Sequence, residues 1–261
     1  NRVFSLESSI ANIERIYQLE NMRDDNIWES NFSRTQLERF TASSPQIEEA
    51  AITNNLAYTS FRFGVSSTSG PDGLSYMERI ERVTPAYAKV FAFEMIAGNT
   101  DCLSSPGSVL ISESTALKIY GEEDPVGKPL YFTELRGVDS LTMYGLTIEP
   151  AYTVGGVYRD FPENTSLKNA LYLPIPEDEM MGDWNTGAYY CYLLMRSNEE
   201  ALAVVEGYAV ENKEFLKNFR IDDIRVRPLT ELYFGEQVRA DAAPTGNKLR
   251  TNILLFIAVL I

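Results

Sequence analysis

Short apolar runs separated by turn residues recur along the chain and predict a fold rich in β-strands. Some runs alternate apolar and polar side chains, as between Tyr76 and Val83, where the pattern predicts a strand of mixed exposure. Others, such as residues 109–111, are continuously apolar, which is typical of a short strand. We predict strands at about residues 51–58, 76–83, 109–111, 130–132, 143–148, 152–158, 170–173, 188–195 and 221–229.

Helical signals are fewer than strand signals. Residues 10–20 predict a short amphipathic helix that passes into a strand, and residues 31–43 predict a helix that the following Ser-Pro pair ends. A third helix is predicted between a capping residue, Ser112, and a terminating residue, Gly121.

The last predicted helix begins at a cap formed by Ser197 or Asn198. Its apolar positions Leu202, Val205 and Ala209 follow the spacing i, i+3, i+7, which predicts one buried face. Helix-and-strand segments therefore flank a middle part that is rich in strands. This order, without an internal repeat, predicts that one subdomain is inserted into another.

The composition is that of a folded globular chain and narrows the classes of partner. At 261 residues the chain can form one large domain or two modest ones, and its 15 tyrosines and 13 phenylalanines argue against disorder. The 37 acidic residues exceed the 23 basic residues, for a net charge of −14. Such a surface repels phosphate groups and anionic lipid headgroups, and this argues against binding to nucleic acid or to a lipid surface.

The residue types limit the chemistry that the chain can perform. It contains no histidine, so it lacks the usual general base near neutral pH and every histidine-containing nucleophilic or metal site. Its two cysteines, Cys102 and Cys191, lie far apart and outside any CxxC pair, and they cannot build a zinc site alone. Cys191 stands in an apolar run and is predicted to be a small buried side chain, while a disulfide between the two stays open.

Runs of acidic residues are the remaining candidates for a chemical site. Adjacent acids at a turn more often face solvent than bind a metal or act as acid and base. We therefore predict that the chain has no catalytic, cofactor-binding or metal-binding residues. The runs concerned are Glu122, Glu123 and Asp124, then Asp24 and Asp25, then Glu177, Asp178 and Glu179, and finally Asp222 and Asp223.

The chain closes on nine apolar residues, 253–261. A helix needs about 20 such residues to span a bilayer, so the run is either the last element of a core or the start of a membrane helix. Lys248 and Arg250 precede it and suit a position beside a membrane. Because the chain also opens at Asn1 rather than at a methionine, we expect it to be an excised segment.

The most specific motif is SVLISESTALKIYGEEDPVGKPL at residues 108–130. In the same order along the chain stand YAKVFAFEMIAGN at 87–99, YTVGGVYRDFPEN at 152–164, RPLTELY at 227–233 and GNK at 246–248. Together these segments resemble the MacB-like periplasmic core domain of FtsX-like ABC transporter permeases, in its Bacteroidetes form. The first segment is long enough to be specific, whereas each of the others alone is a weak signal.

This resemblance implies an α+β fold with two subdomains. A porter-like βαβ subdomain would comprise residues 1–86 and 177–248, and a mostly β subdomain would be inserted at 87–176. Residues 249–261 would begin the second transmembrane helix. The resemblance also implies a domain that is not an enzyme, binds no cofactor and lies in the periplasm, held at the inner membrane by flanking helices.

The resemblance implies partners as well. An ABC ATPase, as a subunit or a domain, would act through the full-length permease, and its ATP hydrolysis would be coupled to the binding or release of cargo or partner proteins. The implied periplasmic partners are an adaptor, a lipoprotein or an exported peptide or lipid. The full-length protein would be a homodimer, and nucleic acid would not be a partner.

The chain departs from the family pattern in two places. Residues 8–17 keep only the Ile-Tyr end of a segment that often carries a histidine in the family. Residues 133–141 are expected to form an added loop, which is where partner specificity tends to lie.

Two other functions stay open. A secreted or lipid-anchored binding module would recognise peptide or glycan through its tyrosines, although tyrosine in strands is more often half-buried packing. A carboxylate-dependent hydrolase would need two carboxyl groups within about 5–10 Å of each other.

Overall fold

The computed structural model describes residues 10–23, 27–54, 62–68, 74–135, 151–162, 165, 167–179, 181–183, 185 and 187–232. The strands of this part are β1 (Ile16–Arg23), β2 (Trp28–Glu29), β3 (Glu49–Asn54), β4 (Arg62–Ser66), β5 (Tyr76–Val83), β6 (Met95–Gly98), β7 (Ser108–Ser112), β8 (Pro129–Leu135), β9 (Ala151–Tyr158), β10 (Leu171–Pro174), β11 (Tyr189–Leu194) and β12 (Ile221–Pro228). The helices are α1 (Arg34–Thr41), α2 (Ala86–Val90), α3 (Glu113–Tyr120), α4 (Asn198–Glu211), α5 (Lys213–Asn218) and α6 (Leu229–Leu232).

One half of the molecule is an antiparallel sheet in the order β3-β11-β1-β12. Strands β1 and β3 both run antiparallel to β11 and are connected through α1. Strands β11 and β12 both run antiparallel to β1 and are connected through α4 and α5. Each connection is a split βαβ unit, so this half has the ferredoxin-like βαββαβ topology, and the predicted α+β class is confirmed.

Helices α1 and α4 bury their apolar faces against one side of this sheet, where Leu37 and Phe40 pack with Tyr17 and Leu19 of β1. The buried stripe of α4 consists of Ala201, Val204, Val205 and Tyr208. The predicted face was therefore right for Val205 and wrong for Leu202, which is 43% exposed. At 100° per residue, a stripe that contains both 204 and 205 places 201 and 208 on the same side and turns residue 202 outwards.

Between β3 and β11 the chain forms a closed β-barrel of six strands. They pair in the order β5-β4-β8-β9-β7-β10, and β10 also pairs with β5 in parallel, which closes the ring. Strands β4 and β5 of this barrel precede residue 87 in the chain. The predicted subdomain limits (1–86, 87–176 and 177–248) stay a prediction. A shared apolar core fills the barrel with Phe63, Val65, Ile80, Val109, Ile111, Leu130, Tyr152, Val154, Val157, Leu171 and Leu173.

Two connections join the barrel to the sheet. Strand β3 pairs with the barrel strand β5 at Thr53 and Val83. Beside this pair, the ring of Tyr87 lies 5.6 Å from that of Tyr172 in the barrel and 6.4 Å from that of Tyr192 in the sheet, measured between centroids. The two halves therefore share one aromatic core as well as one strand pairing.

Local sequence signals placed several elements correctly. Helix α3 begins after Ser112, whose hydroxyl accepts a hydrogen bond from the backbone N–H of Thr115 at 3.2 Å, and it ends at Gly121 with a positive φ of 64°. Strand β8 continues to Leu135, so the expected loop at 133–141 was wrong for residues 133–135. Its remainder, the predicted strand at 143–148 and the apolar run at 253–261 lie outside the described residues.

Within the described part of the chain, no helix is both long enough and apolar enough to cross a membrane.

Candidate functional site

A cleft of about 450 Å³ lies between the end of the barrel and the N-terminus of α1. Its apolar lining includes Leu103, Tyr152 and Ile175, together with the prolines at 85, 106, 174 and 176. Two arginines also line it, Arg34 from the first turn of α1 and Arg82 from the end of β5. Clefts of this size with apolar walls and few polar groups are typical of small-molecule sites.

A buried ion pair lies beside this cleft and includes Arg82, one of its lining residues. Nη2 of Arg82 lies 2.5 Å from Oε2 of Glu179, and the two side chains are 2% and 6% exposed. The second carboxylate oxygen accepts a hydrogen bond of 2.9 Å from the hydroxyl of Tyr189, at the start of β11. Burial, followed by the charge of Glu179, raises the pKa of the Tyr189 hydroxyl, so this hydroxyl stays protonated and donates.

The position of Glu179 corrects the sequence analysis. The acids of its run were expected to face solvent, which holds for Glu177 and Asp178 but not for Glu179. Glu179 is buried because the backbone turns inwards after Pro176 and a buried arginine compensates its charge. The other predicted runs are exposed at residues 122–124 and at 222–223, and the run at 24–25 lies outside the described residues.

Arg34 lines the side of the cleft that α1 forms. Its Nε donates to Oε1 of Glu38 at 2.7 Å, one helical turn further along α1. The side chain of Arg34 is 7% exposed, whereas that of Glu38 is 39% exposed. Neither Arg34 nor Arg82 was predicted from the sequence as a site residue, although the alternation in β5 puts Arg82 on the same face as the core residue Ile80.

The two cysteines are free thiols in the structure. Cys191 is completely buried in β11 and packs in the core beneath α1 and α4, which confirms its prediction as a small buried side chain. Cys102 is half-buried, and burial raises the pKa of its thiol to about 11. Neither thiol therefore carries appreciable thiolate near neutral pH.

Most of the described tyrosines serve packing. Those below a tenth exposed include Tyr158 and Tyr172, which contact each other in the aromatic core between the two halves. This burial confirms the interpretation of tyrosines in strands as packing, and it weakens the case for an aromatic binding surface. The buried tyrosines are Tyr17, Tyr87, Tyr152, Tyr158, Tyr172, Tyr189, Tyr190, Tyr192 and Tyr208.

Glu81 lines a small cavity of about 70 Å³ beside the aromatic core. Burial raises the pKa of Glu81 from 4.5 to about 7, and the nearby cations Arg79 and Lys168 oppose this rise. These charged neighbours are cations rather than a second acid. Within the described residues, no group of three cysteine, aspartate or glutamate side chains is placed to hold a metal ion.

We expect the change Glu81→Gln to stabilise the protein above neutral pH. A carboxyl group whose pKa is raised in the folded state adds to the free energy of unfolding, in full below its unfolded pKa of 4.5. This added stability is lost as the pH rises through the folded-state pKa of about 7. The side chain is 27% exposed, so we expect a gain of only about 1–2 kcal/mol at pH 8 and almost none at pH 4. Urea unfolding of both proteins at the two pH values measures this difference.

The exposed Glu122 provides the control for that measurement, because Glu122→Gln also removes one carboxylate but should change the free energy of unfolding by less than about 0.5 kcal/mol. A Glu81→Gln protein that follows the wild-type stability curve from pH 4 to pH 8 would show that Glu81 titrates normally.

Comparison with known proteins gives the following likenesses. A family model described as the MacB-like periplasmic core domain matches residues 3–207. A solved domain of a proposed permease from Porphyromonas gingivalis is 22% identical, with a TM-score of 0.63, over 94% of this chain and 98% of that one. The periplasmic region of MacB from Actinobacillus actinomycetemcomitans is 16% identical, with a TM-score of 0.52, over 86% and 94%. At these identities the structural likenesses show a shared fold, and no curated protein matches the sequence.

Proposed function

This chain belongs to the family of MacB-like periplasmic core domains, and we propose from that premise that it relays ATP-driven movements of an ABC transporter permease to a cargo or partner outside the inner membrane. The domain itself would catalyse no reaction. The ATPase would bind on the cytoplasmic side, and the domain would follow movements of the membrane helices beside it. The family match over residues 3–207 is the observation that carries this proposal.

The positions of the first and last described elements support such a relay. The 3-10 turn at Ile13–Arg15 contacts α6, and Ile10 and Ile13 pack in the same apolar cluster as Leu229 and Leu232. The chain therefore enters and leaves the described fold at one place, as a domain between two neighbouring membrane helices requires. From there β1 and β12 run side by side into the sheet, so a displacement of the helices would reach the sheet directly.

The cleft supports the second part of the proposal, which concerns what the movement does. Its lining comes from both halves of the molecule, with Arg34 on the sheet half and Leu103, Tyr152 and Pro174 on the barrel half. A small rotation of one half against the other would change the width of the cleft and its hold on whatever binds there. An adaptor, a lipoprotein and an exported peptide or lipid stay predictions for that partner, as does a homodimer of the full-length protein.

A distance measurement in the full-length permease with its ATPase tests this coupling. Ser104 is exposed on the barrel half of the cleft lining, and Ala42 is exposed at the end of α1, the helix whose first residue, Arg34, lines the cleft on the sheet half. Cysteines at these two positions can carry spin labels after Cys102 and Cys191 are changed to alanine. We expect the distance between the labels to change when ATP is added to the permease in lipid nanodiscs. The change should disappear when the ATPase cannot bind ATP.

Labels at Leu202 in α4 and Lys217 in α5 provide the control pair, because both helices pack on the same sheet. This pair should keep its distance in all nucleotide states. If the distance across the cleft were equally constant while the ATPase turned over, the domain would not relay ATP-driven movement through this cleft.

A further inference from the structure

The two arginines that line the cleft keep hydrogen-bonding capacity that the described part of the chain does not use. Nη1 of Arg34 and Nη1 of Arg82 are both buried and have no hydrogen-bond partner there. Each guanidinium is otherwise held in place, by Glu38 at one side and by Glu179 at the other. The cleft is therefore flanked by two oriented cations, each with an unused donor group.

Unused donors on a buried cation are energetically costly. A guanidinium carries five N–H donors, and leaving a buried donor without an acceptor costs about 1–3 kcal/mol, with more for a charged group. Most buried polar atoms in folded proteins have partners for this reason. An acceptor that enters the cleft and meets these donors, after a small turn of the side chains, would recover part of that cost.

The other walls of the cleft indicate what would carry the acceptor. Leu103, Ile175 and the prolines at 85, 106, 174 and 176 present apolar surface, and the volume of about 450 Å³ accommodates a small organic molecule. Apolar walls favour an apolar body, because its burial removes hydrophobic surface from water. The lining thus combines an apolar chamber with a cationic wall.

The surrounding charges favour a ligand with one negative charge over a ligand with two. Glu179 already neutralises one end of Arg82, and the exposed Glu177 adds a further negative charge to the lining. The whole chain carries a net charge of −14, which repels a dianion more strongly than a monoanion. A carboxylate is a planar monoanion whose two oxygens match the fork of a guanidinium.

We propose that this cleft binds a small apolar molecule through one carboxylate group, which Arg34 and Arg82 hold. The proposal rests on the proposed function in that it names the chemical class of the cargo or partner group that the cleft would receive. The free C-terminus of a short apolar peptide and a fatty acid share this chemistry.

Calorimetric titration of the 261-residue chain with four probes tests the binding chemistry. The probes are acetyl-Ala-Ile-Leu with a free carboxylate, the same tripeptide as its C-terminal amide, sodium decanoate and inorganic phosphate. We expect the free tripeptide, decanoate or both to bind, and the tripeptide amide to bind at least tenfold more weakly than the acid. Preference for the tripeptide acid would identify a peptide source, and preference for decanoate would identify a fatty-acid source.

Variants then assign the binding to the arginines. Arg34→Met should weaken binding of the carboxylate probe at least tenfold and leave the weak binding of the amide unchanged. Arg34→Lys, which keeps the charge but loses the fork, should give an intermediate loss. Arg39→Met is the matched control, because Arg39 lies on the same helix but is exposed and outside the cleft, and it should change binding less than twofold.

Three results would overturn the proposal: measurable binding of the amide that is as tight as binding of the acid, phosphate binding tighter than either carboxylate, or binding of none of the probes. The comparison of acid with amide uses the wild-type chain, so it stands even if an arginine variant does not fold. No ATPase is present in these titrations, so their failure is distinguishable from a failure of ATP-driven coupling, which the label distances report.

Discussion

Replacing Glu179 by glutamine is expected to lower the free energy of unfolding by about 3–5 kcal/mol. The carboxylate compensates the buried guanidinium of Arg82 and also accepts from the hydroxyl of Tyr189. An amide of nearly the same shape removes the compensating charge and leaves Arg82 buried without it. Removing one partner of a buried pair is costly in this way because the remaining charge cannot be solvated.

Urea unfolding monitored by circular dichroism measures this loss. The matched control is Glu177→Gln, two residues earlier on the same segment, which changes an exposed carboxylate and should alter stability by less than about 0.5 kcal/mol. Equal stabilities for the two variants would mean that the Arg82–Glu179 pair contributes nothing to the native state.

A double substitution separates the contribution of the two charges to stability from the contribution of side-chain packing. Arg82→Met combined with Glu179→Leu removes both charges and keeps apolar volume, so it should recover most of the stability that Glu179→Gln loses. A double variant as unstable as Glu179→Gln would indicate that the loss does not come from an uncompensated charge on Arg82.

Replacing Gly98 by alanine is the second change for which we expect a large effect, with a loss of about 3–5 kcal/mol. Gly98 ends β6 with a φ of 64°, and a Cβ there would lie 2.2 Å from the carbonyl oxygen of Gly155 and 2.7 Å from Cα of Gly156. These atoms belong to the backbone of β9, which is also paired with β7 and β8 in the barrel and so cannot easily move. The clash therefore has to be relieved by separating β6 from β9.

Gly121 provides a control that isolates this clash. It has the same φ of 64°, but a Cβ at Gly121 would meet nothing within 4 Å. Gly121→Ala should therefore lose only the conformational part, which at φ 64° and ψ −130° is about 1–3 kcal/mol. Thermal unfolding of both variants gives the comparison, and equal losses would show that β6 and β9 do not approach as closely as the structure has them.

The sequence predicted individual elements best where a local rule acts within a few residues. Helix α3 is such a case, because the cap at Ser112 and the positive φ at Gly121 are set by neighbouring backbone. Strand β5 is another, since its alternation of side chains is a property of one strand. By contrast β6, a strand of four residues with half-exposed side chains, carries too little pattern to be recognised.

The candidate site could not be predicted from the sequence, for a different reason. Arg34, Arg82 and Glu179 stand far apart in the chain, and of the three only Arg82 carries a local signal of burial, from the alternation in β5. Their burial depends on closure of the barrel and on the path of residues 175–179 back to the sheet. No pattern within one segment contains that information.

The amino-acid sequence was enough to predict the class of fold, the lack of histidine chemistry and, through the motif at residues 108–130, the family. Such features depend on residue type and short-range order, which the chain carries without folding. The folded structure was needed to show that β4 and β5 complete a closed barrel, that Glu179 is buried and that two arginines line one cleft. These features depend on which distant segments pair and exclude water between them, and long-range packing alone fixes that choice.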